Sequence, residues 1–398
     1  MRRRLFFFSA LFALAASGVR AERVNFCADI DTALAAAPSE KERSWLQDWR
    51  RACRLPTDDL TPSRALTLLR GEPLAVERDR DALTIVARTD GDEARLCCTF
   101  QERMTRLGAS DLWALRYRLD RLDEAMIFLV PPSDYGRSSL TPLTWRGPKA
   151  PEAPQPAEKL SGEIIRKDVR SEALGETRRV EIYLPKDYKA APNLHVLLVA
   201  DGLGKAPYLV ERLVEAGALP PFAMIGLPSG REGVIETPAN KGITDLRAAD
   251  YLPWRDKAHD RFRRHQRFVV DELLPALRKD YGLPAEAARI AVSGHSNGAV
   301  FALFTALDRP GAVGAAIVNS AGSDGSAFAR GRACPCARFF LSAGLYEPGF
   351  SHWTRRYAES LAASGYDVAY KNYVAGHAQD QWDVALIDGL KALFGGGE

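Results

Sequence analysis

The sequence has almost no excess of either charge. Its 398 residues carry 54 Lys and Arg against 51 Asp and Glu. Four of the arginines (Arg2, Arg3, Arg4 and Arg20) fall in the first 21 residues, which hold no acid, so the remainder has 50 against 51, a net charge of −1. A general nucleic-acid binder, which needs a basic surplus, is not expected. The N-terminal apolar run, residues 5–16, is too short to cross a bilayer. Cysteine and histidine number six each, and their spacings match no Cys/His pattern, so no metal site is expected; zinc is the rival reading of the cysteines. No internal repeat is visible.

What is present begins with an export signal. Arg2-Arg3-Arg4, the apolar run and Val19-Arg20-Ala21 form a basic segment, a short hydrophobic segment and a small-x-small cleavage site. Cleavage after Ala21 is expected, giving a periplasmic or secreted protein with no stable membrane insertion; an uncleaved anchor is the alternative. An even cysteine count in an exported chain favours disulfides. Cys97 and Cys98 are adjacent in an expected strand, where successive side chains point to opposite faces. Two different partners are therefore expected for them, with Cys27 and Cys53 the candidates. Cys334 and Cys336 flank Pro335 and can close on each other.

Beyond the signal, residues 22–71 read as a helical segment, with Trp45, Leu46, Trp49 and Cys53 near helical spacing. Residues 72–135 change period: "ALTIVART", "ARLCCTF" and, less regularly, "DLWALRYRLD" predict the short strands of a small β-sandwich-like domain. Residues 136–160 contain "RGPKAPEAPQPAEK" and read as a linker by composition. Over residues 161–398, strands such as "RRVEIYLP", "HVLLVADG", "PFAMIGLPS", "GAAIVNSAG" and "ARFFLSAG" alternate with helices such as "RFVVDELLPALRKDYG" and "AVFALFTALD". Such alternation predicts an α/β fold with a mostly parallel sheet and helices on both faces.

The chemistry centres on "VSGHSNGAV", residues 292–300. A G-x-S-x-G pentapeptide alone says little, but here a strand precedes it and a helix follows. A tight strand–turn–helix elbow, given room by Gly294 and Gly298, lifts the Ser296 hydroxyl above the sheet and puts the Asn297 N–H at a helix start, where it can meet an oxyanion. The bland alternative is a glycine-bracketed turn without catalysis. A serine needs a base, and His377 ends a late strand, just after a glycine, at the carboxyl edge that also carries the serine. His195 opens a strand, and His259 and His265 lie in a charged helix, so these read as structural or solvated; His295 can shape the pocket. The order serine, acid, histidine admits both Glu347, three residues past "ARFFLSAG", which is favoured, and Asp324, after "IVNSAG", the runner-up. A second oxyanion donor is expected at Leu203 or Gly204, after "HVLLVADG", with Asp201 a turn-former.

Residues 161–393 resemble the putative-esterase group of α/β-hydrolases, which includes enterobactin (enterochelin) esterases and esterase-D-like enzymes. The resemblance runs through "RRVEIYLPKDY", "HVLLVADG", "RAADYLPW", "ELLPALRKDYGLP", "RIAVSGHSNGA", "FFLSAGLYEP" and "VAGHAQDQW". "MTRLGASDLWALRYRLD" likewise resembles the accessory β-sandwich of enterobactin esterases. The resemblance implies an α/β-hydrolase with a smaller sandwich-like domain, a Ser296–Glu347–His377 triad, and Arg247 near the substrate. Asn297 departs from the usual Met, Leu or Phe after the serine, and Ala299 from a common second glycine; the backbone donor survives but the pocket wall changes.

The expected function is an exported serine esterase acting through an acyl-enzyme, with no cofactor, on a small-molecule ester. A trilactone catechol siderophore or its ferric form is preferred. Trp254 and Trp382 are candidate stacking residues for aromatic acyl groups, with core or lid packing as the alternative. The basic segment 255–268, "RDKAHDRFRRHQRF", either steers an anionic ferric complex or forms a solvated helix face with Phe262 and Phe268 packed inward. The rivals are a broad carboxylesterase for short acyl, feruloyl or acetyl-sugar esters, and a non-catalytic hydrolase-fold binding protein.

Overall fold

The structure is a computed structural model and describes residues 26–131, 142–228, 245–255, 260–323 and 336–395. The expected export signal, Asp324, His259 and Cys334 lie outside these residues. The chain divides into two compact units, and the division does not follow the linker alone. One holds the residues up to Pro151 together with Leu345–Pro348 and Val374–Ala378; the other holds Glu152–Gly344, Gly349–Tyr373 and the residues from Gln379 onward. Among the described residues no helix is long and apolar enough to cross a membrane.

The first unit opens with helices α1 (Cys27–Ala35) and α2 (Glu40–Arg50), strand β1 (Ala52–Arg54) and helix α3 (Pro62–Leu69). Ser39 and Thr61 cap α2 and α3 by accepting the Glu42 and Arg64 N–H groups. Strands β2 (Leu74–Asp79), β3 (Ala82–Arg88), β4 (Cys97–Cys98), β5 (Thr105–Arg106), β6 (Leu112–Leu119), β7 (Met126–Val130) and β8 (Leu143–Arg146) follow. They form a five-stranded sheet, β1-β6-β3-β2 with β5 also on β6, and a three-stranded sheet, β4-β7-β8. Two short antiparallel sheets thus replace the simple boundaries read from composition. The helical segment 22–71 contributes β1 to the larger sheet, because Cys53 and its neighbours pair with Arg118 and Leu119 on β6. The stretch read as linker contains β8, whose Leu143 and Trp145 pack against a core that includes Ile85, Leu115 and Ile127.

The cysteine pairing also differs from expectation. Cys27 is bonded to Cys53, and Cys97 to Cys98. The strand alternation argument required separate partners for 97 and 98, but α1 packs on β1 and brings Cys27 and Cys53 together in a buried cluster with Ile30. That leaves the adjacent pair to each other. Cys336 is disulfide-bonded as well.

The second unit is built on an eight-stranded sheet of β9 (Glu163–Ser171), β10 (Glu176–Leu184), β11 (His195–Ala200), β12 (Phe222–Leu227), β13 (Ile290–His295), β14 (Ala315–Asn319), β15 (Arg338–Gly344) and β16 (Asp367–Tyr373), in the order β16-β15-β14-β13-β11-β12-β10-β9. Pairing is parallel from β12 to β16 and antiparallel around β10. Sequence character tracks position. β12 and β14 are buried throughout, whereas the edge strands β9 and β16 alternate exposed and half-buried residues, which discourages pairing with another chain.

Successive residues of β11 feed opposite faces: Val196 and Leu198 enter one core cluster, Leu197 the other. Helices α4 (Ala206–Glu215) and α10 (Gln379–Phe394) cover the Leu197 face. The opposite face packs against α5 (Leu246–Tyr251), α6 (Arg261–Arg267), α7 (Leu274–Tyr281), α8 (Asn297–Asp308) and α9 (Pro348–Ala363). Helices on both faces of a mostly parallel sheet make this an α/β-hydrolase fold. The helix expected over 267–282 begins earlier, at Arg261, and passes through a π-helical segment, Phe268–Leu273, before Pro275. A proline ring clashes with the carbonyl four residues back, and the wider turn relieves that clash. Gly282 ends the helix at φ +69°.

The basic segment 255–268 is only partly a solvated face. Phe262 and Phe268 are buried, as are Arg261 and His265. The Arg261 guanidinium donates to Asp250 (2.7 Å) and Glu176 (2.5 Å), and Arg178 to the same two carboxylates (2.7 and 2.6 Å). Two arginines and two acids balance in a fully buried quartet. Arg264 donates to the carbonyls of Ala173 and Leu174. These side chains hold the fold and are not available for steering.

Candidate active site

Ser296 occupies the junction between β13 and α8, with φ 55° and ψ −124°. A non-glycine residue in that region holds about 1–3 kcal/mol of backbone strain and persists only where its surroundings enforce it. Two glycines do so here. A Cβ at Gly294 would overlap the Gly298 carbonyl, and one at Gly298 would lie 2.9 Å from Ala200 Cβ and 3.0 Å from Asp201 Oδ2. The Ser296 N–H donates to Asn319 O at 3.0 Å, and Asn319 Oδ1 accepts from Ser342 Oγ at 2.8 Å. The bend is thereby tied to the ends of β14 and β15. Asn297 is the first residue of α8, so its N–H has no acceptor within the helix.

In the chain, Glu347 and His377 follow β15 and β16 by three and four residues. Both are buried, and His377 Nδ1 lies 2.6 Å from Glu347 Oε2. With Nδ1–H donating to the carboxylate, Nε2 carries the lone pair. Both residues belong to the first compact unit and Ser296 to the second. The segments carrying them are held by that first unit. The Met126 N–H donates to Val374 O, and the Tyr346 N–H to Ala375 O, each at 2.8 Å.

The turn after β11 departs from its sequence reading. Asp201 (φ +69°), Gly202 (φ +93°) and Gly204 (φ +50°) bend the chain sharply. The Leu203 N–H, expected to face an oxyanion, is directed to Glu181 Oε2 at 3.4 Å, and its backbone lies over Gly226. Both partners are on β10 and β12, the side of β11 away from β13, so Leu203 is corrected as a donor. Asp201 does more than form a turn. It accepts two bonds from Arg247, Nε at 2.6 Å and Nη2 at 2.9 Å, and its Oδ2 stands 4.0 Å from His295 Nε2. The carboxylate therefore links Arg247 to the elbow, a role whose one sequence signal is an acid directly after a buried strand. Burial opposes the charge of Arg247, but the hydrogen bond and charge of Asp201 outweigh it and raise its pKa.

Trp382 and Trp254 each have packing partners within the second unit. The Trp382 ring stacks on His295, 4.0 Å between centroids at 14°, and its Nε1–H donates to Ser320 Oγ at 3.0 Å. Trp254 is half-buried against the large core cluster that includes Phe301. His195 Nδ1–H donates to Asn193 O (2.7 Å), and the ring packs on Phe222 and Phe394.

Comparison with known proteins agrees with this architecture. Residues 171–340, which run from the last residue of β9 to the first three residues of β15, match the family model described as "Putative esterase". The enterochelin esterase of Shigella flexneri has a similar fold: TM-score 0.57 at 18% identity over 81% of this chain and 95% of that one. The ferric enterobactin esterase of Salmonella typhimurium gives 0.56 at 17% identity, over 82% and 98%. An uncharacterized protein of Bacillus subtilis, YjcH, is 28% identical over 165 residues, 40% of this chain and 62% of the relative, so the chain spans under two thirds of that protein. The similar structures share the α/β-hydrolase fold, and over residues 171–340, under half of the chain, the sequence resembles the putative-esterase family.

Proposed function

We propose that the protein is an exported serine esterase in which Ser296, His377 and Glu347 act as nucleophile, base and acid. The strained φ of Ser296 at the end of a buried parallel strand carries the reading, because that conformation has a chemical use and a structural cost. His377 Nε2 removes the Ser296 proton as Oγ attacks the ester carbonyl. The Asn297 N–H holds the oxyanion, with the Gly204 N–H as second donor in place of Leu203. His377 then protonates the departing alcohol, and the same imidazole activates water to release the acid from the acyl-enzyme. No redox step or organic cofactor enters this sequence.

The preferred substrate is a trilactone catechol siderophore of the enterobactin kind. The similar solved structures include the esterase FES of Shigella flexneri in the presence of enterobactin, and that likeness extends over 84% of this chain, more than residues 152–398 alone supply. Arg247 is the group proposed to meet the anionic catecholate. Disulfides suit an oxidising compartment, which supports a periplasmic or secreted location.

The test is a fluorophosphonate probe followed by turnover of enterobactin and of p-nitrophenyl butyrate. Labelling of wild type that disappears in Ser296→Ala, with cleavage of both esters, is expected. An unlabelled wild type would reduce the chain to a binding protein. Cleavage of butyrate alone would leave the esterase and remove the siderophore.

A further inference from the structure

The residues around the acid–base pair include two that no part of the chemistry above uses. Thr99 and Phe100 are consecutive and buried, and they immediately follow the Cys97–Cys98 disulfide. Thr99 is tied to β7 in both directions: its N–H donates to Phe128 O at 3.0 Å, and its Oγ1 accepts from the Phe128 N–H at 2.8 Å. Gly376, the residue before His377, lies directly against it; a Cβ there would overlap the Thr99 carbonyl and lie 2.7 Å from Thr99 Cγ2. Phe100 stacks on Tyr117 at 4.1 Å and approaches the ring of Tyr346, the residue before Glu347, at 6.3 Å. Tyr346 is fixed in turn by its hydroxyl, which donates to Asp120 O at 2.7 Å. One dipeptide therefore touches the residue preceding the base and the residue preceding the acid.

We propose that Thr99 and Phe100 are positioning residues for the His377–Glu347 pair, and that the Cys97–Cys98 disulfide holds them in place. The inference rests on the proposed triad. β4 consists of the two cysteines, paired with Leu129 and Val130 of β7, while the other end of β7 grips the His377 segment through Met126. Opening the disulfide releases the covalent constraint on the two residues immediately before Thr99. Cys97 is exposed and open to a dithiol, whereas Cys27 and Cys53 are buried. Reduction transfers two electrons from the dithiol, leaving two cysteine thiols and the oxidised reagent. A shift of about 1 Å in a catalytic group costs on the order of 10²-fold in rate while leaving substrate affinity largely intact.

The experiment uses the full-length oxidised protein and three readouts: kcat and KM on p-nitrophenyl butyrate, the pH profile of kcat, and the low-field imidazole proton of His377, assigned by its loss in His377→Gln. In Thr99→Val and Phe100→Leu, kcat is expected to fall about 10- to 100-fold with KM held within about twofold. The low-field proton should broaden or vanish, and the acid limb of the profile should move. Thr99→Ser, which keeps the acceptor for Phe128, restores all three. Dithiothreitol or Cys98→Ser acts in the same direction, whereas Cys27→Ser with Cys53→Ser lowers Tm without moving the proton. Lower Tm with kcat and the proton unchanged in Thr99→Val and Phe100→Leu overturns the proposal, as does a wild type lacking the proton. If the proton responds but no ester is cleaved and Ser296 is not labelled, the esterase reading fails and the positioning role stands.

Discussion

His377 Nδ1 lies 2.6 Å from Glu347 Oε2, although the two residues are 30 positions apart and separated by α9 and β16. The carboxylate fixes which ring nitrogen bears the proton. Glu347→Gln keeps the shape but offers an amide that can present an N–H instead, favouring the wrong tautomer. In the proposed mechanism kcat should then drop by about 10³–10⁴ with little change in KM or Tm. Steady-state kinetics alongside thermal melting checks this.

Ser296 stores strain that glycine does not feel. Ser296→Gly should therefore abolish fluorophosphonate labelling while raising stability by about 1–2 kcal/mol, seen as a higher Tm in calorimetry. A lower Tm would show that the hydroxyl or Cβ contributes more than the bend costs.

His265 is fully buried beside Tyr251 and Phe301, and burial pushes its pKa down to about 4, outweighing the opposing pull of Asp250. The unfolded chain takes up this proton near pH 6.5, the folded protein only near pH 4. Stability should thus fall as pH drops through that window, by at most about 3 kcal/mol. Asp250 acts in the same direction further down: burial would raise its pKa, but Arg178, His265 and Arg261 together hold it lower, and that stability is lost on protonation. His265→Phe should flatten the pH 6.5–4 portion of a Tm-versus-pH curve and leave the steeper acid portion.

The buried quartet of Glu176, Arg178, Asp250 and Arg261 balances two charges of each sign. Removing one acid leaves an uncompensated guanidinium. Glu176→Gln is expected to cost about 3–5 kcal/mol in chemical denaturation, whereas exposed pairs such as Arg179–Asp168 should barely register.

Much of the second unit was legible because buried parallel strands carry a strong signal. "HVLLVA", "FAMIGL" and "AAIVN" are largely apolar, and glycines 294 and 298 flank a serine set between a buried strand and a buried helix. Chain order left both Glu347 and Asp324 open as the acid, with Glu347 favoured for its place three residues past a buried strand. The rest depended on contacts distant in sequence. Arg261 reads as surface charge until Glu176, 85 residues away, is seen beside it. Leu203 follows the right strand, but its N–H turns toward Glu181 for reasons local sequence does not carry. Alternation along a strand misassigned Cys97 and Cys98, since it says nothing of which sulfurs are already taken.

The membership of residues 345–348 and 374–378 in the first compact unit bears on how such a chain can be shortened or shuffled. Cutting at the proline-rich stretch looks like trimming an appendage from an enzyme. It would instead strip the bedding from two short loops, one holding the imidazole and one its carboxylate. Inheritance should therefore keep both halves together, and a grafted N-terminal module would have to match those loops before it matched any ligand.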